Sequence, residues 1–248
     1  MSKLDKDVDL NQQSDDVAYQ GDDRQDAPSL GRRIWANVRE ILIIVVAALV
    51  LSFIIKTFFF RAFVIPSGSM ENTLQVNDRI FVNLMVPGVA DLKRGDIVVF
   101  EDTQGWLPPV DDDSNVFETV FEGVGLLPNS SEQHLVKRII GMPGDHVTVD
   151  EQTRKIQVNG EIIDEPYVYP GASGSDQDFD VTVPEGKLWM MGDHRNASGD
   201  SRAHQEGPND GFVNVDDVVG RAEVIAWPID RWGPAGSNDE PFNDVPEP

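Results

Sequence analysis

The apolar residues of this chain fall into three regimes. Met1 to Leu30 is rich in Asp, Gln and Ser and poor in large apolar side chains. Such a segment cannot bury enough surface to offset its ordering entropy, and it predicts a disordered tail. Ile41 to Phe60 is a run of 20 residues with Lys56 as its one charge. A helix rises about 1.5 Å per residue, so this run spans roughly 30 Å, the thickness of a bilayer core. From Ala62 onward, short apolar runs alternate with turn residues, the pattern of strands.

In that third regime, Arg79–Val86, Asp96–Phe100, Leu135–Ile140, Leu188–Met191 and Val218–Trp227 predict strands. Ile156-Gln-Val, Asn159-Gly160 and Glu161-Ile-Ile predict a tight hairpin, because Asn-Gly suits the positive φ of such turns. Between Glu101 and His134, Pro108-Pro109, three aspartates from Asp111 and Pro128-Asn-Ser-Ser predict a long loop or small excursion. Gly171 to Asp180 reads as another loop, and the acidic, Pro-rich stretch from Gly233 as a flexible tail. The expected organisation is a disordered acidic tail over 1–33, a transmembrane anchor over 34–61, a mainly β domain over 62–232 and a loose tail over 233–248.

Charge refines this organisation. Arg32, Arg33 and Arg39 precede the apolar run, against Lys56 and Arg61 at its other end. The bias predicts a cytoplasmic N-terminus and a β domain on the extracytoplasmic face of the cell membrane. The run is too long for a cleavable signal peptide, and no small-x-small site follows it. Acids number 43 against 20 bases, for a net charge of −23, which argues against nucleic acid as a partner. The chain has no cysteine, so thiolate catalysis and cysteine-held metals are excluded. His134, His146, His194 and His204 are scattered without ligand spacing, so neither a metal nor a cofactor is predicted.

Candidate chemistry lies in three stretches. Phe63-Val-Ile-Pro-Ser-Gly-Ser-Met-Glu-Asn-Thr-Leu74 is an extended apolar lead-in followed by a Ser-Gly-Ser turn, a way to present a hydroxyl. Leu135-Val-Lys-Arg-Ile-Ile-Gly-Met-Pro-Gly-Asp145 sets Lys137 in a strand of apolar residues. Burial there would disfavour the ammonium, and a neutral lysine amine can take the proton of a serine hydroxyl. Met191-Gly-Asp-His-Arg-Asn-Ala-Ser-Gly-Asp-Ser-Arg202 follows an apolar run and is dense in hydrogen-bonding groups.

Together with Arg94-Gly-Asp-Ile-Val-Val-Phe100, these boxes resemble, in order, those of bacterial type I signal peptidase. That family is the membrane-anchored Ser/Lys endopeptidase that removes signal peptides from exported preproteins, and the single span resembles its Gram-positive form. The resemblance implies a coiled antiparallel β domain with a smaller β excursion drawn from the region after Asp145. It implies Ser69 as nucleophile, Lys137 as general base, and an oxyanion hole of the Ser69 N–H with the Ser67 hydroxyl. Ser198 would hydrogen-bond the Lys137 amine. Asp193 with Arg138, and Asp200 with Arg202, would form supporting pairs. Phe63, Ile65, Met70, Leu74 and Val136 would line pockets for small −1 and −3 side chains, giving cleavage after Ala-x-Ala. The implied partners are preproteins emerging from export and the lipid bilayer.

Two positions depart from the family. Asn72 stands where proline is usual, which predicts a looser turn, and His194 stands where asparagine is common. A non-catalytic, signal-peptidase-like assembly factor is the alternative; such relatives lose the serine or the lysine, and this chain keeps Ser69, Lys137 and Ser198. A self-cleaving repressor-type Ser/Lys protease would carry a DNA-binding module instead of a span.

Overall fold

A computed structural model describes residues 30–108 and 133–248. Of the expected tail over 1–33, residues 1–29 lie outside the described residues, as do most of the excursion before His134 and the side chains of Arg32, Arg33 and Lys56, while 30–33 are helical and not disordered. The first element, α1 (Leu30–Phe58), is a helix of 29 residues. Its Asn37–Ile54 window has a mean hydropathy of 2.2 with no residue buried, so it is long and apolar enough to cross a membrane. The helix ends at Phe58, earlier than the expected anchor boundary at 61, and Phe60 and Arg61 already belong to a strand.

The β domain is built on antiparallel pairing throughout its described ladders. Its strands are β1 (Phe60–Val64), β2 (Arg79–Asn83), β3 (Ile97–Glu101), β4 (His134–Gly141), β5 (His146–Val149) and β6 (Ile156–Val158). There follow β7 (Glu161–Ile162), β8 (Asp180–Thr182), β9 (Lys187–Met191), β10 (Val213–Asn214), β11 (Val218–Trp227) and β12 (Gly233–Pro234). The larger sheet runs β1-β2-β11-β3-β4-β9-β10, with β12 beside β11; the smaller runs β7-β6-β5-β8. The smaller sheet falls after Asp145, where the excursion was expected. Its hairpin turns on Asn159 at φ 50° and Gly160 at φ 91°, the positive pair that the Asn-Gly sequence predicts.

Side-chain alternation distributes the apolar residues among three cores. In β3, Ile97 and Val99 join one core while Val98 and Phe100 join another. In β9, Leu188 and Met190 face the same core as Val98, and Trp189 and Met191 face a third, beside the smaller sheet. These strands are covered on both faces, which explains why they read as unbroken apolar runs. The segment from Gly233 differs from the loose tail expected of it. Ala235, Phe242 and Val245 are buried in these cores, and Asn238 N donates to Gly95 O at 3.1 Å. Spaced apolar side chains hold the segment down despite its acidic, Pro-rich composition.

Candidate active site

The serine turn hangs from β1. Ile65 N donates to Asp78 O at 2.9 Å and Asn77 N to Ile65 O at 2.8 Å, so the strand pairing continues past Val64 and keeps Ile65 extended before Pro66. A 3-10 turn, Gly68–Met70, then presents Ser69, while Met70 and Leu74 sink into the core and anchor it. Arg231, from the segment after β11, binds Asp78 Oδ2 at 2.9 Å and Thr73 O at 3.0 Å, tying the end of the turn down. Asn72 does not loosen the turn. Its φ of 86° lies in the left-handed region, closed to proline, and its Nδ2 donates to Tyr167 O at 3.0 Å.

Strand β4 brings Lys137 to this turn. Its Nζ stands 2.8 Å from Ser69 Oγ and 3.1 Å from Val136 O, and the side chain is buried. Burial pulls its pKa from 10.5 down to about 8, against the opposing charges of Asp200 and Asp193. Ser67 Oγ lies 3.4 Å from Ser69 Oγ. The Ser69 hydroxyl therefore faces an amine that is partly neutral near physiological pH, with a second hydroxyl alongside.

A shell of buried ion pairs holds these groups. Arg138 grips Asp193 with two hydrogen bonds of 2.8 and 2.7 Å, donates to Gly95 O at 2.7 Å, and lies 3.7 Å above the Tyr167 ring. Arg202 grips Asp200 at 2.9 and 2.8 Å, and Asp200 also accepts from Gly192 N at 3.0 Å. Both predicted pairs are present. Removing one partner from such a pair strands a buried charge, at a cost of about 3–5 kcal/mol. Gly192 separates Ser198 from the serine turn: a Cβ there would lie 2.3 Å from Ser198 Oγ and 2.4 Å from Ser69 O.

A third pair escaped the sequence reading. Arg195 is buried against Glu165, Glu165 accepts from Tyr167 OH at 2.9 Å, and Arg195 donates to Gly174 O at 2.6 Å. Arg195 lies inside the polar box, whose density of hydrogen-bonding groups was the available signal. Glu165 had none, because its partner is 30 residues away.

Three expectations differ from what the structure places at the site. Among the described residues, no hydrogen bond joins the Ser198 hydroxyl to the Lys137 amine, which is engaged instead by Ser69 Oγ and Val136 O; the hydroxyl lies against the Asp200 carboxylate. Leu74 is fully buried in a core and does not reach the cleft beside Ser69. That cleft, of about 510 Å³, is walled on one side by Ile65, Pro66, Ser67, Ser69 and Met70 and on the other by Leu135, Val136 and Lys137. Ile65, Met70 and Val136 line it. Phe63 is not in its wall, but packs edge-on at 5.1 Å against His134, which is. Leu107, Pro108 and Gln133 complete the lining. Among the described residues, no cluster of His, Asp or Glu is placed to hold a metal.

The structure thus sets a serine hydroxyl against a desolvated lysine at the edge of an open cleft in an antiparallel β domain. Residues 38–227 match the family described as signal peptidase, peptidase S26, and the chain belongs to that family. It is 35% identical over 230 residues to the probable signal peptidase I of Mycobacterium leprae, covering 80% of this chain and 79% of that one. It is 34% identical over 246 residues to signal peptidase I of Mycobacterium tuberculosis, covering 88% and 82%. It is 31% identical to signal peptidase I P of Bacillus subtilis subsp. natto, covering 81% and 95%. The chain is thus a peptide-bond hydrolase of the signal peptidase I type.

Proposed function

We propose that this chain removes N-terminal signal peptides from exported preproteins after small-x-small sites, using Ser69 as nucleophile and Lys137 as general base. The observation that carries the reading is the 2.8 Å approach of a buried lysine amine to a serine hydroxyl beside an open cleft. Neutral Lys137 takes the Ser69 proton as Oγ attacks the carbonyl of the −1 residue. The Ser69 N–H and the Ser67 hydroxyl stabilise the oxyanion. Lys137, now an ammonium, protonates the departing amine. Water, deprotonated by the same amine, then hydrolyses the acyl-enzyme and frees the signal peptide.

Among the described residues β1 ends the larger sheet, and this position of the segment leading to Pro66 supports main-chain pairing with an extended substrate, which gives affinity without reading sequence. Substrate side chains alternate, so those at −1 and −3 face the protein together. Ile65, Met70 and Val136 leave shallow apolar room for them. We further propose that α1 anchors the chain with its N-terminus in the cytoplasm and the β domain outside. The test is cleavage of a precursor by the full-length chain in detergent, with −1 set to Ala, Gly, Leu or Phe. Cleavage after Ala and Gly, and a loss of at least tenfold with Leu and Phe, supports the reading. Equal rates for Ala and Leu would overturn the pocket assignment; no cleavage of the Ala precursor would overturn the activity.

A further inference from the structure

His194 holds the peptide units on both sides of Ser69. Its backbone N–H donates to Ser69 O at 3.1 Å. Its ring Nδ1 lies 3.3 Å from Gly68 O and 3.3 Å from Glu71 Oε2. Both of those neighbours can only accept, so Nδ1 carries the hydrogen and the ring acts there as a donor. Tyr169 stacks on the ring, with centroids 4.0 Å apart and planes at 13°, which fixes the direction in which Nδ1 points. Tyr169 is held in turn by its N–H to Asp193 O at 2.9 Å.

Gly68 O and the Ser69 N–H are opposite ends of one trans peptide plane. A donor that fixes the carbonyl therefore fixes the direction of the N–H. A hydrogen bond accepted at the carbonyl also polarises the amide and strengthens the N–H as a donor. Glu71 N donates to the same carbonyl at 3.0 Å, so Gly68 O is held from two directions. The Glu71 side chain packs beneath Gly68, where a Cβ would come within 3.0 Å of its carboxyl group.

We propose that His194 is a positioning residue for the oxyanion hole: its Nδ1–H fixes and polarises the Gly68–Ser69 peptide, whose N–H meets the developing oxyanion. The inference rests on Ser69 being the nucleophile. Its effect belongs to the transition state, because the ground-state carbonyl of the substrate asks less of that N–H.

The test compares wild type, His194→Phe, His194→Asn and His194→Ala in the full-length, detergent-solubilised chain, with Ser69→Ala as the blank. Phe keeps the stack on Tyr169 and removes the donor. Asn places an amide N–H close to where Nδ1 stands. The backbone bond to Ser69 O remains in all of them. Losing a whole oxyanion donor costs about 10²–10³ in kcat; losing its orientation should cost His194→Phe roughly 10–100-fold, with KM within about twofold and Tm unchanged. His194→Asn should stay within about threefold of wild type.

If Phe is too bulky and lowers Tm, the Ala and Asn pair makes the same comparison, with Ala slow and Asn restored. His194→Phe or His194→Ala at wild-type kcat, or Asn falling as far as they do, would overturn the inference while Ser69 keeps its role. A Ser69→Ala chain that still cleaves would instead overturn the reading on which it rests.

Discussion

Replacing Lys137 by methionine should make this protein more stable at neutral pH and less so, relative to wild type, in alkali. The amine is buried, and burial holds its pKa at about 8 where an exposed lysine has 10.5. Keeping the ammonium in that site therefore costs the folded state about 3 kcal/mol at pH 7. The unfolded chain binds more protons than the folded one between the two pKa values, so wild-type stability rises with pH across that window. Below pH 8 the whole penalty is present; above about 10.5 it is gone. Methionine fills a similar volume and has no charge to desolvate. It forfeits the contacts of Nζ with Ser69 Oγ and Val136 O, each worth about 1 kcal/mol. The net gain at pH 7 is thus about 1 kcal/mol, and it should reverse by pH 11. Urea unfolding of both proteins, followed by fluorescence of the buried Trp189 at pH 7, 9 and 11, measures the difference at each pH. Parallel pH profiles for the two proteins would show that Lys137 is not desolvated, and the reasoning would fail.

The same depression sets the working range: the neutral amine is about a tenth of the population at pH 7 and about nine-tenths at pH 9. The kcat/KM of the wild type should therefore rise about tenfold on an acidic limb with its midpoint near 8, and a midpoint above 10 would contradict the burial argument. Asn72→Pro should lose activity and stability, because proline cannot adopt a φ of 86°, whereas Asn72→Gly should retain the turn; kcat/KM and Tm of the two variants decide it. Gly192→Ala should lower kcat/KM at least 100-fold, since the added Cβ would collide with Ser69 O and Ser198 Oγ, and near-normal turnover would show that the turn can give way.

The fold was legible where pattern and chemistry agreed. Val218–Trp227 is the strand that the sequence predicts, and Asn159-Gly160 turns the hairpin that its positive φ values allow. β1 was obscured because its apolar residues run on from an apolar helix, and neither hydropathy nor length marks the change at Phe60. The burial of Phe242 and Val245 was hidden by the acids and prolines around them, which say nothing about the core that Val147, Ile156 and Trp189 build earlier in the chain. At the site, Ser69, Lys137, Arg138, Asp193, Asp200 and Arg202 were all singled out, and the structure gathers them. Asn72 was read as a departure from a proline turn, because φ is not visible in a residue name. His194 went unassigned for a similar reason: its role is defined by Gly68, Glu71 and Tyr169, which only the folded chain assembles.

The central claim is that Ser69 and Lys137 act as one unit. Its most direct test is the turnover of one signal-peptide-bearing precursor by wild type, Ser69→Ala, Lys137→Ala, Lys137→Arg and the Ser69→Ala/Lys137→Ala double variant. Each single variant should lose essentially all cleavage, and the double variant should be no worse than either, because neither group has a function without the other. Lys137→Arg should be as inactive as Lys137→Ala, since a guanidinium stays charged and takes no proton from a hydroxyl. Cleavage by Lys137→Arg at a rate near wild type, or losses that multiply in the double variant, would contradict the account.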